Sequence, residues 1–221
     1  MKISFFQKFV FVFLLFLPKF AYAQMTDIEV DSLNNQLLTK LSDQNYFKFK
    51  EITTRGELTA CSLEFGYVYR NHVRFSGNIV QLAGSFNQWY TKGKSNGYTL
   101  KLVAKLVDVK ANSIDFIHPK FLDLVISDTS IYQYKILEQE SENKSLFLGY
   151  SDQTAKIAAM IAEGHLMRSS LKYSFSEKGI DEELKFSDIT NKRASDGEII
   201  KFENCSLLII DKLLKDLETL K

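Results

Sequence analysis

The chain has 221 residues, and its 28 lysines and arginines nearly balance 27 aspartates and glutamates, giving a formal net charge of +1. This balance argues against nucleic-acid binding, which usually requires a basic face. The length suits one domain of ordinary size or two small ones, and it is sufficient for a substantial hydrophobic core.

The N-terminal stretch up to Ala23 has the pattern of a cleavable signal peptide. Lys2 and Lys8 supply a positively charged start, residues 9–17 form a short apolar run, and the stretch ends in Ala-Tyr-Ala. The apolar run is too short to span a bilayer, and an N-terminal anchor that is never cleaved is the alternative. We predict cleavage after Ala23, a periplasmic or secreted location, and one extracytoplasmic domain over residues 24–221 without a transmembrane segment.

The chain contains two cysteines, Cys61 and Cys205. In an exported protein such a pair predicts one structural disulfide, with two buried free thiols as the alternative. The two residues are too far apart in sequence for a redox-active Cys-x-x-Cys pair. The bridge should close most of the folded chain into a single loop.

Hydrophobic periodicity predicts a sheet between two helices. Apolar residues at three- and four-residue spacing indicate an N-terminal helix, capped by Asp27 or Asp31, and a C-terminal helix with its leucines on one side. Between them, runs of alternating apolar residues separated by polar turns indicate antiparallel strands. The predicted helices cover residues 27–44, 154–163 and 204–220, and the predicted strands cover residues 46–52, 61–69, 79–90, 98–109, 121–127, 131–138, 145–149, 171–176 and 183–189.

These elements predict an α+β fold, with a curved antiparallel sheet of about six to eight strands flanked by N- and C-terminal helices. A β-sandwich or a half-open barrel is the alternative. From Cys61 to Tyr69 every second residue is apolar, so this strand should have one buried face and one mostly solvent-exposed face.

One motif resembles a catalytic one. Residues 93–97 match Gly-x-Ser-x-Gly, the nucleophile elbow of serine hydrolases, and Ser95 could be followed by Asp128 or Asp152 and then by His165 as triad partners. An elbow requires strand, turn and helix, whereas a strand is predicted after this motif. A hairpin turn that uses glycine and asparagine is therefore the preferred interpretation.

No metal or cofactor site is predicted. The three histidines, His72, His118 and His165, are isolated in sequence and have no second ligand at metal-binding spacing. They are expected to be loop or surface residues.

The most suggestive local composition surrounds the single tryptophan, where aromatic residues alternate with amides and lysines. Such surfaces suit sugar rings or the hot spot of a protein partner, although the aromatic residues could simply cap the core. The candidate binding residues are Asn87, Trp89, Tyr90 and Lys92, with Tyr67, Tyr69 and Arg70 predicted to share the same end of the sheet.

The sequence predicts an exported, non-catalytic module of bacterial type that binds a protein or an envelope component. The first alternative is a carrier that holds an apolar small molecule in a cavity between the sheet and leucine-rich helix faces. The second alternative is a serine hydrolase that uses Ser95.

Overall fold

The computed structural model describes residues 25–43, 45–91, 95–117, 119–126, 130–133, 135–136, 146–151, 154–175, 182–189 and 195–219. The helices are α1 (Asp27–Ser42), α2 (Thr154–Ala162), α3 (Phe186–Ile189) and α4 (Ser195–Thr219), and a short 3₁₀ helix spans Leu166–Arg168. The strands are β1 (Tyr46–Thr54), β2 (Glu57–Asn71), β3 (Asn78–Thr91), β4 (Ser95–Asp108), β5 (Ser113–Ile117), β6 (Phe121–Ile126), β7 (Ser130–Gln133), β8 (Lys135–Ile136), β9 (Leu146–Ser151), β10 (Ser169–Ser174) and β11 (Glu182–Lys185). The predicted signal peptide lies outside the described residues.

In the described part of the chain, seven strands form one antiparallel sheet. Its order is β1-β2-β3-β4-β9-β8, and β5 pairs with β4 beyond the end of β9. Among these residues β1 and β8 do not pair with each other, so the sheet is open and is not a closed barrel. The central strands β2, β3 and β4 have 15, 14 and 14 residues, which makes each of them about 50 Å long. The predicted α+β class, with an antiparallel sheet and helices at both ends, is confirmed.

A second antiparallel sheet has the order β11-β10-β6-β7. Leu171 of β10 and Leu184 of β11 belong to the same buried cluster as Leu63 and Phe65 of β2, so this sheet packs against one face of the first. We call that face the inner face. This second sheet adds to the predicted antiparallel sheet, and the predicted strand over residues 183–189 ends earlier and continues as α3.

Helix α1 covers part of the opposite, outer face of the first sheet. Leu37, Leu38 and Leu41 pack against a small buried cluster formed by Val68, Ile79 and Val107. This packing explains why β2 is buried on both faces here, where the alternating sequence predicts one solvent-exposed face.

Helix α1 begins with a capping box. The Thr26 hydroxyl accepts a hydrogen bond from the Glu29 backbone N–H at 3.4 Å, and the Glu29 carboxylate accepts one from the Thr26 backbone N–H at 2.8 Å. The N-cap is therefore Thr26, and the predicted caps Asp27 and Asp31 lie within the helix.

Helix α4 begins at Ser195, well before the predicted start at residue 204. The sequence around Gly197 does not favour a helix, because glycine is a poor helix former, but Ile199 and Phe202 are buried and fix this part of the helix against the sheet. The helix also faces the sheet differently from the prediction. Ile199, Phe202 and Cys205 face the sheet, whereas Leu207, Leu208 and Leu214 are exposed.

Cys61 of β2 and Cys205 of α4 form a disulfide, with their Cα atoms 6.0 Å apart. Both residues are buried in the main core cluster. The predicted bridge is therefore present, and it ties the C-terminal helix to the central strand of the sheet.

The core between the first sheet and α4 also contains polar side chains. Gln88, Tyr98 and Ser206 are each at most 1% exposed. Four of their atoms, Gln88 Nε2 and Oε1, Tyr98 Oη and Ser206 Oγ, have no hydrogen-bond partner in the described structure. Each unsatisfied buried polar group costs about 1–3 kcal/mol, so four of them together are comparable with a typical unfolding free energy of about 5–15 kcal/mol.

Candidate functional site

The structure separates the residues of the predicted aromatic–amide surface. Successive residues of a strand point to opposite faces, so Trp89 and Tyr90 do not share one surface. Tyr90 is only 8% exposed on the inner face, where its hydroxyl donates a hydrogen bond to the Asp216 carboxylate of α4. This hydrogen bond, together with burial and the negative charges of Asp216 and Glu57, raises the pKa of Tyr90 to about 12. Trp89 is half-buried on the outer face, and Lys92 lies outside the described residues.

The side chain of Asn87 belongs to a polar ladder across three strands. Its Oδ1 accepts a hydrogen bond from Ser62 Oγ at 2.6 Å, and its Nδ2 donates to Ser85 Oγ at 3.0 Å and to Thr99 Oγ1 at 3.4 Å. Ser62, Asn87 and Thr99 lie directly opposite one another in β2, β3 and β4. Asn87 therefore has a structural role on the outer face.

Tyr67, Tyr69 and Arg70 do not lie at the same end of the sheet as Trp89, and this prediction is wrong. In the antiparallel pair of β2 and β3, Trp89 lies opposite Ala60, whereas Tyr69 lies opposite Val80. Tyr69 is therefore about 30 Å from Trp89 along the strand.

Arg70 links α1 to the turn between β2 and β3. Its Nε donates to the Gly77 carbonyl at 2.8 Å, and its other two nitrogens donate to Asn35 Oδ1 at 2.9 Å and to the Asp31 carboxylate at 2.6 Å. Its side chain is thus used in holding the outer-face helix, and it does not face the two tyrosines, which lie on the inner face.

The two tyrosines belong to a row of five aromatic side chains, which we call the aromatic cluster. Tyr67 stacks on Tyr69 with ring centroids 5.8 Å apart, and Tyr69 lies close enough to Tyr173 in β10 to raise the pKa of that residue. Tyr173 contacts Phe175 at 5.6 Å, and Phe175 contacts Phe75 at 5.5 Å. Two strands of different sheets and the β2–β3 turn thus meet in one aromatic surface.

Most of this cluster is only partly covered. Tyr173 is buried at 1% exposure, whereas the other four aromatic residues are half-buried. Together they place aromatic area from both sheets at one end of the molecule, where part of it faces solvent. Aromatic rings that combine a large apolar area with hydroxyl groups are the side chains most often found at binding hot spots.

Two carboxylates lie beside the aromatic cluster. Burial raises the pKa of Tyr67, and the negative charge of Asp188 in α3 raises it further. Burial likewise raises the pKa of Tyr173, with additional contributions from Tyr69 and from the Glu182 carboxylate. Glu182 of β11 and Asp188 of α3 are therefore close enough to the rings to raise the pKa of the tyrosines.

Asn71 holds the parts of the site together. It is 1% exposed; its Oδ1 accepts hydrogen bonds from the backbone N–H groups of Arg74 at 2.8 Å and Phe75 at 3.2 Å. Its Nδ2 donates to the Glu182 carboxylate in the second sheet. One buried amide thus fixes both the turn that carries Phe75 and the position of the carboxylate.

The structure contradicts a nucleophile elbow at Ser95. This residue begins β4, which continues as a strand to Asp108, so the helix that an elbow requires after the serine is not there. His165 is half-buried, and its Nδ1 lies 3.4 Å from the Glu163 carboxylate. Asp128 and Asp152, the predicted acidic partners, lie outside the described residues.

Among the described residues, no group of three or more His, Cys, Asp or Glu side chains is close enough to hold a metal ion. None of the helices in those ranges is long and apolar enough to cross a membrane. Comparison of the chain with protein-family models, curated proteins and solved structures found no match.

Sequence reasoning missed Phe75, Tyr173, Phe175, Glu182 and Asp188. A signal for part of the cluster exists, because residues 67–69 and 173–175 both read aromatic-x-aromatic, which places two rings on one face of a strand. That the two pairs meet could not be read from the sequence, since they belong to different sheets. No local pattern indicates that the two carboxylates lie beside them.

Proposed function

We propose that this chain is an exported, non-catalytic binding protein and that the aromatic cluster is its binding site. The observation that carries the proposal is the meeting of five aromatic side chains from two sheets, four of them half-buried. A cluster that served only as core would gain more by complete burial. The disulfide is consistent with an exported protein, as is the pattern of the N-terminal stretch.

The chemistry of the site favours a partner that presents a cation. The faces of aromatic rings attract ammonium and guanidinium groups, and Glu182 and Asp188 add negative charge at the side of the rings. A lysine or arginine side chain of a protein, or an amine of another envelope component, has the matching chemistry. Trp89 lies on the other face and is not part of this site.

The proposal can be tested by NMR titration of the ¹⁵N-labelled mature chain, residues 24–221, with choline and with lysine amide. We expect chemical-shift changes confined to β2, the β2–β3 turn, β10 and β11. The uncharged isostere 3,3-dimethylbutan-1-ol should bind several-fold more weakly than choline, because a cation–π contact contributes about 0.5–2 kcal/mol.

Two variants distinguish this site from the surface around the tryptophan. Glu182→Gln keeps an oxygen for the Asn71 hydrogen bond but removes the charge, and it should weaken choline binding several-fold. Trp89→Ala, on the outer face, should leave binding unchanged. The proposed site is wrong if neither cation binds, or if Trp89→Ala abolishes binding while Glu182→Gln retains it.

A further inference from the structure

The second feature that points to a ligand is the group of unsatisfied polar atoms inside the core. Gln88 has an amide nitrogen and an amide oxygen without a hydrogen-bond partner in the described structure, and the Tyr98 and Ser206 hydroxyls are in the same situation. All three side chains are at most 1% exposed. Bulk solvent therefore cannot supply hydrogen bonds to these atoms.

The strands bring two of these residues together. Gln88 of β3 lies directly opposite Tyr98 of β4 on one side and Cys61 of β2 on the other. These residues point to the inner face, because Phe86 and Tyr90, two positions away from Gln88 on either side, both belong to the main core cluster.

The helix brings the third residue to the same level. The Phe202 ring of α4 packs on the Phe86 ring of β3 with centroids 5.6 Å apart. Further along the strand and the helix, the Tyr90 hydroxyl donates a hydrogen bond to the Asp216 carboxylate. The strand and the helix therefore run in the same direction. Ser206 lies one helical turn, about 6 Å, beyond Phe202.

Gln88 lies two strand residues, about 6.6 Å, beyond Phe86, so it is at nearly the same level as Ser206. The neighbouring residue Cys205 is bonded to Cys61, which is itself opposite Gln88. Two independent contacts thus bring Ser206 to the level of Gln88 and Tyr98 along the strands.

We infer that Gln88, Tyr98 and Ser206 form an internal binding site for a small neutral molecule that both donates and accepts hydrogen bonds. The amide supplies one donor and one acceptor, and each hydroxyl can act as either. None of the three groups carries a charge, so a neutral hydroxyl-bearing occupant fits and an ion does not. An ordered water molecule and the hydroxyl group of a small organic molecule share this chemistry. The inference does not depend on the aromatic cluster.

The test compares the urea denaturation midpoints of Gln88→Leu, Tyr98→Phe and Ser206→Ala with that of the wild type, using mature protein isolated from its own compartment. If an occupant bonds to these groups, each substitution removes a bond to it and lowers the midpoint. If these polar atoms have no hydrogen-bond partner in the folded protein, each substitution removes a buried polar group that makes no hydrogen bond. The urea midpoint is then unchanged or raised. Unchanged or raised midpoints in all three variants would overturn the inference.

Two further measurements identify the occupant. A water-to-amide Overhauser signal at the Gln88 side chain, lost in Ser206→Ala, indicates an ordered water molecule. An added mass in native mass spectrometry, present in the wild type and absent in Gln88→Leu, indicates an organic ligand, and its value gives the identity. If both measurements are negative for a wild-type protein whose variants are destabilised, the site holds nothing and the inference fails.

Discussion

Removal of the disulfide by Cys61→Ala and Cys205→Ala should destabilise the protein strongly. The two residues are 144 positions apart, so the bridge restricts most of the unfolded chain. The loop-entropy relation gives about 5 kcal/mol for a loop of this length. Domains of this size unfold with about 5–15 kcal/mol, so a large part of the total stability should be lost.

Urea denaturation provides the assay. The chain has a single tryptophan, so fluorescence reports unfolding from one site, Trp89 on β3. With a denaturant dependence of about 2–3 kcal/mol per molar urea, the midpoint should fall by about 2 M. Either single alanine variant should show the same fall as the double variant, because each one breaks the bridge. Reduction of the wild type should reproduce it.

A midpoint shift below about 0.5 M would refute this reasoning, because the loop-closure contribution would then be largely absent. A denatured, non-reduced protein with the same mass as the reduced chain would also refute this reasoning, because a disulfide lowers the mass by two hydrogens. In the first case the bridge would matter through local packing only, and in the second the thiols would be unbonded in the cell.

Two further predictions concern single residues. Gly84→Ala should destabilise the protein by about 1–3 kcal/mol, because its new Cβ would lie 2.5 Å from the backbone oxygen of Lys101. The urea denaturation midpoint measures this loss. The control is Gly197→Ala, whose Cβ meets nothing within 4 Å and which should gain up to about 1 kcal/mol of stability. A neutral Gly84→Ala would contradict the packing described. Tyr90→Phe should cost about 1–2 kcal/mol below pH 10, because it removes the hydrogen bond to the Asp216 carboxylate. The pKa of Tyr90 is raised to about 12 in the folded state, so the stability difference between the wild type and Tyr90→Phe should disappear as the pH rises from about 10 to about 12. A stability difference that persists at high pH would show that the hydrogen bond is not its source.

Much of the fold follows from periodicity. The alternation of apolar residues from Cys61 to Tyr69 correctly predicts a strand with its core-facing side chains, and the turns correctly predict that β2, β3 and β4 form an antiparallel meander. Periodicity does not reveal the start of α4, because Gly197 and its polar neighbours are poor helix formers by themselves. Burial of Ile199 and Phe202 outweighs that local preference.

The candidate site was predictable only in part. Composition identifies Tyr67 and Tyr69 but groups them with Trp89, although antiparallel pairing places the C-terminal ends of β2 and β3 at opposite ends of the sheet. Composition also groups Tyr90 with this surface, although strand alternation turns its side chain toward the core. Register is therefore what decides which aromatic residues can act together.

By itself, the sequence determined the α+β class, the antiparallel hairpins and the pairing of the only two cysteines, because each depends on patterns within one segment or on a single possible partner. Only the tertiary structure decided that the strands divide into two sheets, that α1 covers the outer face, and that rings from β2 and β10 meet beside Glu182. These arrangements depend on which buried surfaces fit each other across long separations in the chain. Local propensity and spacing carry no information about that fit, since many pairings of the same strands would satisfy the same alternation.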